Sequence, residues 1–179
     1  PGVTLTELCL SGRDLTAVNT PGTAASGLEG ITAATYNGTT QYHYNSGTQG
    51  VTNWPLTGEA LAYPTSITVT GTAFGLGDSN TTTTNVLFAF YGAVTSPADP
   101  AGVQFRGDSG STSVVYSTGY SANTWYSLSG TRDANTGTSR AYVDGTANGT
   151  ESSTLTAPDF QALAIGAWYR NGAAASFFP

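Results

Sequence analysis

The chain has 179 residues, a formal net charge of −6 and a charged fraction of only 9%. That length suits one ordinary domain with a hydrophobic core. Its five basic residues are all arginines scattered along the chain, whereas nucleic-acid binding requires clustered cations. No apolar run approaches the roughly 18 residues of a membrane-spanning helix. Composition therefore argues against both a nucleic-acid partner and a membrane span.

Residues 1–29 differ in composition from the rest of the chain. They show weak alternation of apolar and polar residues and then small residues with Pro21, Gly22 and Gly27. We expect an N-terminal arm or linker here, with one strand around residues 3–10. The alternative is an outer strand of the domain that follows, which we place at residues 30–179.

From Ile31 onward the sequence is a series of short strand candidates separated by Gly, Pro, Asn and Asp. The many threonines suit a half-buried pleated surface, and no long window carries a helical period. The strand candidates are residues 67–74, 85–91, 102–106, 112–118, 124–132, 138–144 and 161–169. Regularly spaced short strands predict an all-β, antiparallel two-sheet sandwich. After residues 138–144, the Asp144-Gly145 pair predicts a tight hairpin, because glycine tolerates the positive φ of the turn.

Residues 123–133 and 142–145, which include Trp125 and Asp144-Gly145, resemble the "tWyhva-trd…lYvDG" stretch of laminin-G-like domains. Residues 163–168 resemble the next strand, and residues 34–39 and 64–69 resemble strands near the family's start. The resemblance covers residues 31–178 and implies a concanavalin A-like jelly-roll sandwich. Members of this fold bind sugars, mediate adhesion, hydrolyse glycosides or serve as structural proteins, so the fold alone does not define a function.

The sequence departs from the family in two places. It stops at Phe177-Phe178-Pro179, where the family continues into a last strand. We therefore expect a sandwich that lacks its final strand or receives one from another chain. The second departure is Asn37, which replaces the Asp of some members and removes a metal-binding carboxylate.

Catalysis finds little support in the sequence, and we predict that the protein is not an enzyme. Glycoside hydrolysis requires two paired carboxylates, but Glu7, Glu29, Glu59 and Glu151 are isolated from one another. The single histidine, His43, lies between tyrosines on a predicted strand and faces away from them, which is typical of a packed or surface residue. No Gly-x-Ser-x-Gly motif is present.

Calcium is the one cofactor to consider, because laminin-G-like domains often bind it at the rim of the sandwich through aspartates. Hard oxygen ligands are available in predicted loops or at strand ends. The candidate metal ligands are Asp78, Asp108, Asp133 and Asp144. No Asp-x-Asp-x-Asp run occurs, and the predicted hairpin accounts for Asp144.

Sugar binding would place aromatic faces against a pyranose ring, with hydrogen-bonding side chains nearby. The candidate ligand-binding residues are Trp54, Trp168, Tyr169, Arg170 and Asn171. For Trp54 and Trp168 the alternative is packing in the core, and we expect Trp125 to fill the core between the sheets.

These features together favour a non-catalytic structural or adhesion protein displayed on a particle surface, as a decoration or fibre component of a phage or virus. Cys9 cannot form an intrachain disulfide, no signal peptide is visible, and we expect the sheet to lack its final strand. We expect a virion-surface or extracellular location and protein partners, including further copies of the chain. The alternative is a secreted carbohydrate-binding module that uses calcium or does without it.

Overall fold

The computed structural model describes residues 14–47, 54–67, 71–77, 87–91, 101–106, 112–117, 121–134, 136–155, 160–170 and 172–179. All regular structure in these residues is β-strand, and every strand pair is antiparallel. This part of the chain contains no helix of the length and hydrophobicity needed to cross a membrane.

Fifteen strands follow one another along the chain. They are β1 (Thr16–Val18), β2 (Gly22–Ala25), β3 (Thr32–Thr35), β4 (Tyr42–Ser46), β5 (Leu56–Ala62), β6 (Thr72–Gly77), β7 (Leu87–Tyr91), β8 (Ala101–Arg106), β9 (Thr112–Ser117), β10 (Tyr126–Arg132), β11 (Thr136–Val143), β12 (Thr146–Thr154), β13 (Ala162–Ile165), β14 (Trp168–Arg170) and β15 (Ala173–Ala175). A seven-stranded sheet has the order β1-β4-β13-β6-β7-β8-β9, and a four-stranded sheet has the order β12-β11-β10-β5. Two small hairpins, β2–β3 and β14–β15, complete the fold.

The core lies between the two sheets, as the alternation along β10 shows. Tyr126, Leu128, Gly130 and Arg132 are buried, whereas the residues between them are only partly buried. This period of two follows from the pleat, which directs successive side chains to opposite faces. A Cβ atom at Gly130 would lie 2.7 Å from Cγ1 of Val103 on the facing sheet. The absence of a side chain at Gly130 therefore allows the two sheets to approach closely at this point.

Arg132 is a charged residue inside this core, with 1% of its surface exposed. Its guanidinium donates to Ser139 Oγ at 2.7 Å and to the Ser153 carbonyl at 2.8 Å. The guanidinium carbon also lies 5.3 Å from the centre of the Trp54 ring. These contacts compensate for the loss of water around a buried cation.

The two sheets differ in width, and this difference shapes the molecule. β12 packs against β9, β11 packs against β8 and β9, β10 packs against β7 and β8, and β5 packs against β6. In the order of the larger sheet, β13, β4 and β1 follow β6. These three strands therefore extend beyond β5, and the four-stranded sheet does not cover their inner face.

The observed architecture confirms the predicted all-β jelly-roll sandwich. It also confirms the Asp144-Gly145 hairpin, in which the two residues have φ angles of 51° and 74° and connect β11 to β12. The single strand predicted at residues 161–169 is wrong. Gly166 has a φ of 82°, which ends β13 and separates it from β14.

The parts of the structure near the two ends of the chain can be compared with the predicted N-terminal arm and the predicted lack of a final strand. The strand predicted at residues 3–10 lies outside the described residues. Residues 14–29 include β1, which pairs with β4 at the sheet edge, so this part belongs to the sandwich and not to a separate arm. At the other end, the Ser176 carbonyl accepts from the Thr72 N–H at 2.7 Å, and the Phe178 N–H donates to the Gly166 carbonyl at 2.8 Å.

Candidate functional site

Trp54 is buried between the sheets and does not reach the surface. Only 6% of its surface is exposed, and its ring makes edge contacts with Phe105 at 5.8 Å and Phe160 at 6.0 Å between ring centres. The interpretation of Trp54 as a sugar-binding residue is therefore corrected to a core residue, because neither ring face is open to a ligand.

The second group of predicted ligand-binding residues lies on the β14–β15 hairpin. Trp168 is partly buried on β14, which packs against β6. The Tyr169 ring stacks on Tyr44, with 5.2 Å between ring centres and an angle of 19°. One face of Tyr169 is thus taken up by the protein itself. The Arg170 side chain and Asn171 lie outside the described residues.

Two of the four predicted calcium ligands can be placed, and both already have partners. Asp133 forms an ion pair with Arg140 at 3.1 Å, and the Asp144 carboxylate accepts from the Ser127 N–H at 2.9 Å. No cluster of three or more His, Cys, Asp or Glu residues occurs in the described part of the chain. The remaining two candidates, Asp78 and Asp108, lie outside the described residues. Asn37 stabilises a turn through its side-chain oxygen, which accepts from the backbone N–H groups of residues 39 to 41.

One pair of carboxylates does come together, on the outer face of the four-stranded sheet. Ser127 Oγ donates to Glu59 at 2.6 Å, while the Ser127 N–H donates to Asp144. Both carboxylates are exposed. Glycoside hydrolysis needs a sugar ring held between two carboxyl groups. These two carboxylates instead share hydrogen bonds from Ser127 on an exposed face of the sheet.

His43 is buried on the inner face of β4, as the alternation with Tyr42 and Tyr44 predicted. Its Nδ1 lies 3.0 Å from the Tyr36 hydroxyl, and the two rings meet edge to face. Burial lowers the pKa of His43 and raises the pKa of Tyr36. Both groups are therefore mainly neutral at pH 7, and the tautomer of His43 decides which of them donates in this hydrogen bond.

A groove of about 700 Å³ lies between the β2–β3 hairpin and the side of the sandwich where the larger sheet extends beyond β5. We call it the rim groove. One wall is the hairpin, including Ile31 and all four residues of β3. The other wall is formed by Leu61, Ala62, Tyr63 and Trp125. Ala73, Ile165, Tyr36 and Phe178 also line it.

The hairpin wall is fixed at both of its ends. In its turn, the Ser26 N–H donates to the Ile31 carbonyl at 3.2 Å, and the Ser26 hydroxyl donates to the same oxygen at 2.7 Å. Trp125 Nε1 donates to the Ser26 carbonyl at 2.8 Å and ties the turn to the sandwich. At the other end, the Tyr36 ring packs so closely over Gly166 that a Cβ there would lie 2.6 Å from it.

The lining of the rim groove is apolar and uncharged. It includes Leu61, Tyr63, Ile31 and several alanines, and its polar side chains are the hydroxyls of serine, threonine and tyrosine. Among the described residues of the lining there is no charged side chain, amide side chain or histidine. Such a lining suits a partner with apolar groups better than one that carries many charges or hydroxyls.

The sequence interpretation missed this site. Trp125 was expected in the core, but it is only partly buried and its ring packs against Tyr63 at 5.4 Å between centres, in the groove wall. Alternation could have located it, because a residue next to the inward-facing Tyr126 must face the other way. A second signal was the run from Ala60 to Tyr63, which is apolar on both faces of a strand.

Comparison with known protein families finds no match, and no curated protein matches either. Among solved structures, the chain is similar to the native heptameric SAP-like pentraxin from Limulus polyphemus, with a TM-score of 0.57 and 17% sequence identity. The match covers 75% of this chain and 62% of the pentraxin chain, so the chain spans less than two thirds of that protein. A second similar structure is the botulinum neurotoxin type G receptor binding domain, with a TM-score of 0.49, 8% identity, and coverage of 86% and 38%.

At this level of identity the pentraxin likeness establishes the fold and nothing finer. Together with the strand order, it identifies the chain as an antiparallel jelly-roll sandwich of the concanavalin A-like type.

Proposed function

We propose that the protein is a non-catalytic binding and adhesion module whose contact surface is the rim groove. The observation that carries this proposal is the distribution of exposed apolar side chains. Among the described residues, the large hydrophobic side chains that are exposed are Leu28 (38%), Ile31 (49%), Leu61 (52%) and Tyr63 (38%). Three of them line the groove, and Leu28 lies in the hairpin turn beside it. Apolar side chains gathered at one exposed site mark a binding surface.

The absence of catalysis in this proposal rests on the chemistry of the described residues. The groove holds neither a carboxylate pair nor a histidine. His43 is buried against Tyr36, and the Glu59 and Asp144 carboxylates, which both accept from Ser127, lie on an exposed face of the sheet. General acid–base catalysis requires such groups to be within hydrogen-bond reach of a bound substrate.

We further propose that the module is a laminin-G-like domain displayed on a virion, with other copies of itself among its partners. The family assignment is supported by the sequence resemblance around Trp125-Tyr126 and by the hairpin that Asp144-Gly145 forms between β11 and β12. Display without a stabilising disulfide is consistent with the single Cys9. The structurally similar pentraxin is heptameric, and this supports a homo-oligomer.

The test measures how much of three forms of the protein is incorporated into the virion that carries it. These are the wild type, Leu61→Asp in the groove wall, and the control Ser152→Asp, an exposed position on β12 at the other edge of the four-stranded sheet. We expect an antibody against the chain to label intact particles. We also expect Leu61→Asp to be incorporated at least about tenfold less than Ser152→Asp, because a charge in an apolar contact surface must be desolvated on binding. Labelling only after lysis would contradict surface display, and equal incorporation would contradict the role of the groove.

A carbohydrate-binding module is the second candidate, and one observation favours it. Tyr63 and Trp125 place two aromatic rings side by side in the wall of the groove, where a sugar ring could pack. A glycan array screened with and without a chelator tests this function and its dependence on calcium. Selective binding that Trp125→Ala removes, while Trp168→Ala retains it, would replace the first proposal with this one.

A further inference from the structure

We infer that the rim groove receives residues 3–10 of a second copy of this chain, bound as an added β-strand. The inference rests on the proposed function of the groove as a contact surface and goes further by naming its occupant. It is carried by the edges of the strands around the groove, the chemistry of its lining, and the point at which the chain enters the sandwich.

Two edge strands contribute to the groove lining. β5 is the last strand of the four-stranded sheet, and β3 is paired only with β2 within the described residues. An edge strand carries N–H and C=O groups along its free side, and these can pair with an incoming strand. An eight-residue strand is about 26 Å long and the seven residues of β5 span about 23 Å. The length of residues 3–10 therefore suits this edge.

The chemistry of residues 3–10 matches the groove. The segment reads Val-Thr-Leu-Thr-Glu-Leu-Cys-Leu and carries one charge, at Glu7. In a strand, Val3, Leu5 and Cys9 share one face with Glu7, so that face is apolar except for one carboxylate. The uncharged, apolar lining of the groove offers contacts for that face. The serine and threonine hydroxyls of the groove can form hydrogen bonds with the threonine hydroxyls of the segment.

The course of the chain favours a second copy over the chain's own groove. The Asp14 carbonyl accepts from the Asn45 side chain at 3.1 Å, so the chain enters the sandwich beside the end of β4. The groove lies toward the other end of β4, where His43 pairs with Ile165 of the groove lining. To fill its own groove, the segment would have to turn back along β1. A neighbouring copy requires no such reversal.

The native Cys9 provides a direct test, because it is the single cysteine of the chain. A second cysteine is introduced in the groove by Leu61→Cys or Thr32→Cys, and in a control by Ser152→Cys, which is exposed on β12 at the other edge of the sheet. After mild oxidation of the full-length protein, we expect disulfide-linked chains on a non-reducing gel for both groove variants. Their yield should exceed that of the control at least about tenfold, because binding raises the effective concentration of the two thiols. Mass spectrometry of the linked peptide identifies the bond.

Complementation provides a second measurement that does not depend on a disulfide. Leu5→Asp disables the inserted segment and Leu61→Asp disables the groove, so each variant alone should have a lower mass by light scattering than the wild type. An equimolar mixture should regain association, because one variant keeps an intact groove and the other keeps an intact segment.

Three results would overturn the inference. They are a Cys9 bond within one chain, a yield no higher than that of Ser152→Cys, and a mixture that associates no better than its components. The proposed function is tested separately by particle incorporation. If Leu61→Asp still blocks incorporation when the disulfide test fails, the groove is a contact surface with another occupant.

Discussion

Trp54 and Trp125 belong to the same sandwich, but the first is buried between the two sheets and the second forms a wall of the rim groove. Where the four-stranded sheet faces the larger sheet, an aromatic ring is enclosed by core residues such as Phe105 and Phe160. Where the larger sheet extends past β5, the rim groove lies between the sandwich and the β2–β3 hairpin. The unequal width of the two sheets therefore leaves room for the groove.

The largest effect expected from this comparison is on stability. Trp54→Ala should lower the free energy of unfolding by about 3–5 kcal/mol, because it leaves a cavity and removes the ring beside the buried Arg132. Trp125→Ala should cost far less, about 1 kcal/mol, since it mainly removes the hydrogen bond to the Ser26 carbonyl. Urea denaturation of the two variants measures the difference. Equal losses would mean that both rings lie in the core.

The next effect concerns the closest contact between the two sheets. Gly130→Ala should cost about 1–3 kcal/mol, because the new methyl group would press on Val103. In a Val103→Ala background the same substitution should cost less, since the clashing methyl groups are gone. Ser129→Ala, on the other face of β10, is the matched control and should change stability by less than about 0.5 kcal/mol. Additive effects of Gly130→Ala and Val103→Ala would contradict the close approach.

The fold was predictable from the sequence because its signals are local. A period of two, Gly and Pro between strands, and the Asp144-Gly145 turn each act over a few residues, and all agree with the structure. The break at Gly166 was missed because the period of two continues on both sides of it.

The site was not predictable in the same way. It brings together a hairpin near Ile31, the end of β5 near Leu61, and Trp125, which are far apart in the chain. Its position depends on which strands of the larger sheet have no partner across the sandwich, and no local pattern in the sequence carries that information. For Trp54, which precedes β5, alternation gave no guide to burial.

The free energy of unfolding should depend moderately on pH through His43, which lies beside Tyr36 at the boundary between the core and the groove. The pKa of His43 is lowered by burial in the folded protein, so the unfolded chain binds a proton more readily. Stability should therefore be complete above the unfolded pKa of about 6.5 and decline as the pH falls below it. His43→Gln should remove this part of the dependence, because no other histidine is present. Urea denaturation at about pH 7.5 and about pH 5.5 tests this, and an identical decline in both proteins would show that His43 does not contribute.

The smallest effect on stability should come from the groove wall itself, at two adjacent residues of β5. Leu61→Thr should change the free energy of unfolding by less than about 0.5 kcal/mol, because the side chain is exposed and threonine suits a strand. Ala62→Thr should cost at least about 1 kcal/mol, since it places a hydroxyl where 4% of the surface is exposed. Both are measured in the Leu5→Asp background, which keeps the groove of each copy free of a neighbour's segment. A large cost for Leu61→Thr there would mean that the side chain is covered within a single copy, and the groove would then not be open to a partner.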